Sequence, residues 1–104
     1  MQELLVNYKT GSKWEAAPSP MTGAEIKILR QEGLKKTFLL KLPAHFRGIA
    51  HVHSHTEQHF VLEGSYNNDE DKYDTGDYRL IPAGNAHDPM ESEQGAVVLV
   101  IQEP

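Results

Sequence analysis

The chain has 104 residues, of which 38% are hydrophobic and 24% charged, and its formal net charge is −5. This length and composition fit one globular domain, and the ten Lys and Arg residues are scattered, which argues against nucleic acid or an anionic membrane as partner. The lack of cysteine excludes disulfides, thiolate catalysis and cysteine-ligated zinc. We find neither a signal-peptide pattern nor an apolar run that could span a bilayer, so we expect a cytoplasmic protein.

The first residues predict little regular structure. Residues 4–14 form a short stretch of ambiguous pattern, and no long amphipathic helix is predicted anywhere. Residues 16–23 contain Pro18 and Pro20, which lack backbone donors and restrict the residues before them. We therefore expect residues 1–23 to be an irregular lead-in.

Short segments with β character follow the lead-in, each bounded by Gly, Pro, Asn or Asp. They are residues 25–30, 36–42, 49–55, 57–63, 78–81 and 96–101. An acidic stretch at 67–71 predicts an exposed hairpin tip, and residues 75–77 and 82–85 predict further turns. Many short strands with closely spaced turns predict an all-β sandwich or small barrel.

Histidine is concentrated in one part of the chain: five of the six histidines lie between residues 44 and 60, and the sixth is His87. His51 and His53 are two residues apart, so on a strand they share one face at about 6.8 Å and can converge on one ion. Glu57 has the same parity and adds a hard oxygen ligand, a donor set that suits Fe, Mn, Ni or Zn.

A second ligand set stays open. His53, His55 and His59 have the spacing H-x-H-x3-H, which would suit an all-histidine iron site. Glu57 is favoured over His59 because six residues separate it from the turn residue Gly64. His59 then faces the interior as an outer-shell or substrate-facing residue. His55 is a weaker candidate for the same role, and exposure at a bend is favoured for it.

The spacing resembles the two motifs of the cupin family. His51, His53, Glu57 and Gly64 match the first motif, H-x-H-x(3,4)-E-x6-G, and Gly76, Pro82, Gly84 and His87 match the second, G-x5-P-x-G-x2-H. Two positions depart from the family pattern. His45 stands where the first motif opens with glycine, and Glu91 stands where the second ends with asparagine.

This resemblance implies a cupin jelly-roll (double-stranded β-helix) barrel over residues 24–104, within one cupin domain of residues 1–104. It also implies one divalent metal ion, Fe, Mn, Ni or Zn, held by His51, His53, Glu57 and His87. The open end of such a barrel admits a small-molecule ligand or substrate.

Within the cupins, the layout is most similar to the cupin domain of ChrR-type zinc anti-sigma factors and to small, RmlC-like stand-alone relatives. The resemblance lies in Trp14 before the proline segment and in the segments 23–29, 60–66 and 73–78. In those anti-sigma factors a separate helical domain holds the sigma factor. This sequence shows no such domain, so sigma-factor binding is not expected.

Two functions from different classes are compatible with these residues. The favoured one is a dioxygenase-like mononuclear metalloenzyme acting on a small organic substrate, with Phe38, Leu40 and Val61 as candidate pocket residues. The alternative is a non-catalytic metal or small-ligand sensor. A structural barrel with adventitious metal is the third hypothesis.

The sequence also predicts an assembly. Phe60 and Leu62 have the parity opposite to Glu57 and Val61, so they are expected on the outer face of the barrel. Exposed apolar strand surface usually marks a contact, and we therefore predict a homodimer through an outer sheet face.

Overall fold

The computed structural model describes residues 2–10, 13–52, 54–87 and 89–104. In this part of the chain the regular structure consists of eleven β-strands, which confirms the predicted all-β class. None of the described residues belongs to a helix that could cross a membrane.

The strands are short except for four. In chain order they are β1 (Glu15–Ala16), β2 (Glu25–Glu32), β3 (Lys35–Leu42), β4 (Phe46–Arg47), β5 (His51–Val52), β6 (Thr56–Asn67), β7 (Lys72–Asp74), β8 (Tyr78–Ile81), β9 (Ala86–His87), β10 (Glu91–Ser92) and β11 (Ala96–Glu103). The twelve-residue β6 is the longest of them.

Strand β6 is the centre of the sheet topology. The main sheet has the order β1-β2-β3-β11-β6-β10-β4, and β7 and β8 also pair with β6. β5 and β9 form a separate two-stranded antiparallel sheet. The long strands β2, β3, β11 and β6 therefore make one continuous antiparallel wall.

Alternation along the long strands builds the core. Phe38, Leu40 and Leu42 of β3 are buried on the inner face, where β11 contributes Val98 and Val100. Each such side chain contributes about 1.5–3 kcal/mol relative to exposure. Apolar residues two apart thus direct one face of this wall into the interior.

A close backbone contact joins β6 to the start of β11. Gly64 has a φ of 69°, and a Cβ built on it would lie 2.1 Å from the carbonyl oxygen of Gly95. The register between β11 and β6 shifts nearby, between Val97 and Val98. Glycine is required at position 64 both by its dihedral angle and by this approach.

The structure differs from the predicted elements where strands are very short. The strand predicted at 49–55 is present as His51–Val52 only, and Ser54 and His55 lie in a bend. The two- and three-residue strands β1, β4, β7, β9 and β10 were not predicted, because so few residues carry no alternation pattern. Strand β1 lies inside the expected lead-in, and the next residue, Ala17, joins the core.

His45 lies in the left-handed backbone region. Its φ is 59°, the left-handed region that is costly for residues with a Cβ. Glycine, the residue of the family pattern at this position, would adopt this conformation without that cost.

Candidate metal site and cavity

Three alternate residues of β6 face the interior. Glu57, His59 and Val61 are 4%, 2% and 1% exposed, whereas Phe60 between them is 40% exposed. This is the parity that the sequence predicted. The structure thus brings Glu57 and His59, the two competing fourth ligands, to the same face of the same strand.

A chain of hydrogen bonds fixes the Glu57 carboxylate. His59 Nε2 lies 2.8 Å from Glu57 Oε1, and His59 Nδ1 lies 2.7 Å from the Tyr66 hydroxyl oxygen. Gln102 Nε2 donates to the other carboxylate oxygen, Oε2, at 2.9 Å. A Tyr66 hydroxyl that donates to Nδ1 selects the imidazole tautomer whose Nε2–H donates to Glu57.

Tyr66 has the protonation state that this chain needs. Burial raises the pKa of Tyr66 from 10.0 to about 12, and a hydrogen bond with Arg79 partly opposes the rise. The phenol is therefore neutral at physiological pH and keeps its proton for His59. Arg79 also lies over the Tyr73 ring, 4.4 Å from its centroid, and that ring packs 5.0 Å from the ring of Tyr66.

The β5–β9 pair carries two of the predicted histidine ligands. His51 and His87 are cross-strand partners in the antiparallel register. The structure describes only the backbone at these two positions, and His53 lies outside the described residues.

A cavity of about 190 Å³ opens beside Glu57 and His59. Its wall contains a lead-in segment, residues 17–21, and apolar side chains of the long strands. Two of the three predicted pocket residues, Phe38 and Leu40, line it. Val61 is buried in the core cluster instead, and the partly exposed His55 contacts Ser54, with 3.2 Å between its Nδ1 and the Ser54 Oγ.

The donor set suits a divalent metal, although Glu57 is the only predicted ligand with a described side chain. Among the described side chains no three imidazole or carboxylate groups form a cluster. A buried carboxylate in a cavity wall with hydrogen-bonded oxygens is a typical environment of a metal ligand. Glu57 therefore fits the metal that the cupin resemblance implies, and the backbones of His51 and His87 pair in the neighbouring sheet.

Sequence reasoning missed several groups around Glu57. Gln102 and Lys36 reach the cavity through cross-strand pairing, Gln102 with Glu57 and Lys36 with Gln102. Nothing in the local sequence signals this register. Tyr66 was noticed only as part of a family-like run. Its odd spacing from Glu57 would place it on the opposite face of β6, but the positive-φ Gly64 lies between them and both side chains are buried.

Comparison with known proteins supports the cupin fold. A chain from the complex of Rhodobacter sphaeroides SigE with the anti-sigma ChrR is similar at 21% identity and a TM-score of 0.75, over 90% of this chain and 51% of that one. The chain thus spans about half of that relative's length. A comparison with curated proteins found no match.

Two further structures resemble the chain over almost its whole length. The putative acetylacetone dioxygenase of Methylibium petroleiphilum has 20% identity and a TM-score of 0.82, over 98% of this chain and 77% of that one. The polyketide cyclase RemF of Streptomyces resistomycificus has 18% identity and the same TM-score of 0.82, over 98% and 79%. At these identities the likeness establishes the jelly-roll fold.

The family itself is identified by sequence. The family's pattern extends through the lead-in as well as the barrel strands, and it includes the segment with Glu57 and His59. The chain belongs to the ChrR Cupin-like domain family, whose sequence model matches residues 2–104.

Proposed function

We propose that this protein binds one divalent metal ion through His51, His53, Glu57 and His87 and acts as an oxygenase-like metalloenzyme on a small organic substrate. The observation that carries the proposal is the buried Glu57 carboxylate, oriented by His59 and Gln102 in the wall of a cavity. A charged group is buried at such cost only where partners or a metal compensate it.

The chain's own residues have separable roles in this proposal. His59 and Gln102 hold the two oxygens of Glu57, and Tyr66 fixes the tautomer of His59. Phe38 and Leu40 give the cavity an apolar wall. When bound, the metal would act as a Lewis acid and a template for a chelating substrate. Its identity among Fe, Mn, Ni and Zn depends on availability as much as on the ligands.

Metal analysis of the purified protein tests the ligand set. We expect about one equivalent of metal in the wild type and a loss of most of it in the His51→Ala/His53→Ala double variant. His45→Ala is the matched control, because the His45 side chain is exposed and lies beside the exposed Glu93. Unchanged metal content in the double variant would refute the assignment.

Separate substitutions distinguish the two candidates for the fourth ligand. Loss of an outer-shell partner typically lowers metal affinity roughly 10–100-fold. Glu57→Ala, which removes a proposed ligand, should lower metal affinity by more than this. His59→Ala should lower metal affinity by an amount within this range. The reverse order of effects would make His59 the ligand and Glu57 its support.

Oxygen uptake on a panel of diketones and phenolic compounds tests the reaction class. We expect turnover by the metal-loaded wild type and none by His51→Ala or His87→Ala. The second candidate function, a non-catalytic sensor, is favoured by membership of a family named for an anti-sigma factor. Metal bound without turnover on the panel, together with a ligand-dependent change in binding of a protein partner, would support the sensor.

We also propose a homodimer through the outer face of the sheet. Phe60, Tyr78 and Leu80 are 40%, 57% and 55% exposed, and Phe60 and Tyr78 are cross-strand partners. Leu62, the second residue predicted on this face, is only partly exposed. Such adjoining apolar side chains favour burial against another surface. Light scattering at tens of micromolar should give a dimer mass for the wild type and a monomer mass for Tyr78→Lys. A monomeric wild type would contradict the proposal.

A further inference from the structure

A polar row crosses the otherwise apolar cavity. Gln102 of β11 pairs with Glu57 of β6 on one side and with Lys36 of β3 on the other. All three residues line the cavity. Three adjacent strands therefore present a carboxylate, an amide and an ammonium group side by side on one wall.

Lys36 lies against apolar groups. Its Nζ is 5.1 Å from the centroid of the Phe38 ring, and the residue is partly buried. No carboxylate of the described residues forms an ion pair with it, in contrast to Arg30, Arg47 and Lys72. A partly desolvated cation with no anionic partner favours an anion that enters the cavity.

The size and lining of the cavity limit what can enter. Its volume of about 190 Å³ is below the roughly 300–1,000 Å³ of pockets for drug-sized ligands. The remaining wall is mostly apolar, with Phe38, Leu40, Met90 and Val100 among its residues. A compact apolar body with a single charged head fits these limits.

We propose that the cavity binds a small organic carboxylate, whose head lies at Lys36 and the Gln102 amide and whose apolar body packs on Phe38, Leu40 and Met90. This inference rests on the proposed metal site, because a divalent ion offsets the negative charge of Glu57 in the same wall. Three neutral imidazoles, one carboxylate and a divalent ion carry a net charge of about +1. Lys36 then adds a second positive charge on the far side of Gln102.

Calorimetric titration of the zinc-loaded protein tests the role of Lys36. The probes are two acids, benzoate and 3-methylbutanoate, and their uncharged amides, benzamide and 3-methylbutanamide. Lys36→Met removes the charge at similar length, and Lys36→Arg keeps the charge. Lys35→Met is the matched control, because Lys35 is the exposed neighbour on the same strand.

We expect the wild type, Lys36→Arg and Lys35→Met to bind at least one acid about 10–100-fold more tightly than its amide, the value of a hydrogen bond to a charged group. In Lys36→Met this preference should fall to about twofold or less. A preference that survives in Lys36→Met, or equal binding of acid and amide by the wild type, would overturn the inference. Absence of binding by both acids at 10 mM would overturn it as well.

Zinc content measured on the same samples separates this inference from the proposed function. Protein with about one equivalent of zinc and no acid preference would leave the metal site standing and reject the role of Lys36. Protein without zinc would reject the metal site. An acid preference in zinc-free wild type that is lost in Lys36→Met would show that Lys36 recognises the anion independently of any metal.

Discussion

Strand β6 and the β5–β9 pair are both proposed to supply ligands to one metal, but their frameworks differ. β6 has twelve residues and pairs with β7, β8, β10 and β11, whereas β5 and β9 have two residues each and pair with each other. The position of Glu57 is therefore set by a large sheet and by buried hydrogen bonds. Along β5 and β9 the backbone pairing fixes only two pairs of residues.

This contrast teaches that the two parts of the site should depend differently on the metal. Long paired strands owe their order to cooperative burial and ladder hydrogen bonds, whereas a two-residue ladder gains little from either. We infer that β6 keeps its structure without metal and that the β5–β9 pair is stabilised by the ion. The predictions below test each half of this comparison.

The largest effect is expected from Gly64→Ala at the far end of β6. The new Cβ would lie 2.1 Å from the Gly95 carbonyl oxygen, at a φ of 69°. Overpacking and left-handed strain together should lower the free energy of unfolding by about 3–5 kcal/mol. Urea denaturation measures this loss.

Gly76→Ala is the control for this substitution. Its φ is 95°, but no atom lies within 4 Å of the new Cβ. Only strain then acts, so a loss of about 1–2 kcal/mol is expected. Equal losses in the two variants would mean that the approach of Gly64 to Gly95 does not anchor β6.

Raising the pH tests the buried end of the hydrogen-bond chain on β6. The pKa of Tyr66 is about 12 in the folded protein against 10.0 for an ordinary tyrosine. A folded-state pKa above the unfolded value gives stability that is fully present below pH 10 and is lost as the pH rises to about 12. Between these limits the wild type should lose about 2–3 kcal/mol of unfolding free energy through this group.

The control is Tyr66→Phe, which keeps the ring and removes the buried hydroxyl. The pH-dependent loss of stability should be smaller in Tyr66→Phe than in the wild type. Ultraviolet titration should show one late-titrating phenol fewer in this variant. If the wild type and Tyr66→Phe lost equal stability as the pH rises, burial of the phenol would be contradicted.

Metal removal tests the comparison directly. Amide hydrogen exchange of the β5 and β9 strands is measured with free metal at ten times Kd and again with chelator. Exchange should be about tenfold slower with metal, because binding at that concentration stabilises the bound state by about 1.4 kcal/mol. Amides of β6 and β11 away from the site should change little, because their ladder does not depend on the ion. Uniform slowing over both strand systems would reject the distinction.

The same contrast explains how far the sequence could predict the site. Alternation along β6 was enough to place Glu57 and His59 inside, because a long strand has a readable period of two. The row formed by Glu57, Gln102 and Lys36 was not predictable, since Glu57 and Gln102 are separated by 45 residues and meet only through the register of β11. Strand β9 was not predicted, because two residues carry no strand pattern, and only the motif histidine His87 marked this position.

The smallest predicted effect concerns the approach to β5. His45 precedes β4 and holds a φ of 59°, and its side chain is 79% exposed beside Glu93. Replacing it with glycine removes left-handed strain but gives the unfolded chain more freedom. The strain is the larger of the two terms, so His45→Gly should raise the free energy of unfolding by about 0.5–1 kcal/mol.

His45→Ala separates the backbone effect from loss of the exposed contact with Glu93. Alanine retains the Cβ and hence the backbone strain. The free energy of unfolding of His45→Ala should therefore be within about 0.5 kcal/mol of the wild-type value. Urea denaturation of the three proteins measures both differences. A destabilised His45→Gly would mean that the imidazole, and not the turn conformation, is what this position contributes. Stabilisation by glycine alone would show that the turn before β4 tolerates histidine at a cost, whereas β6 does not tolerate a side chain at Gly64.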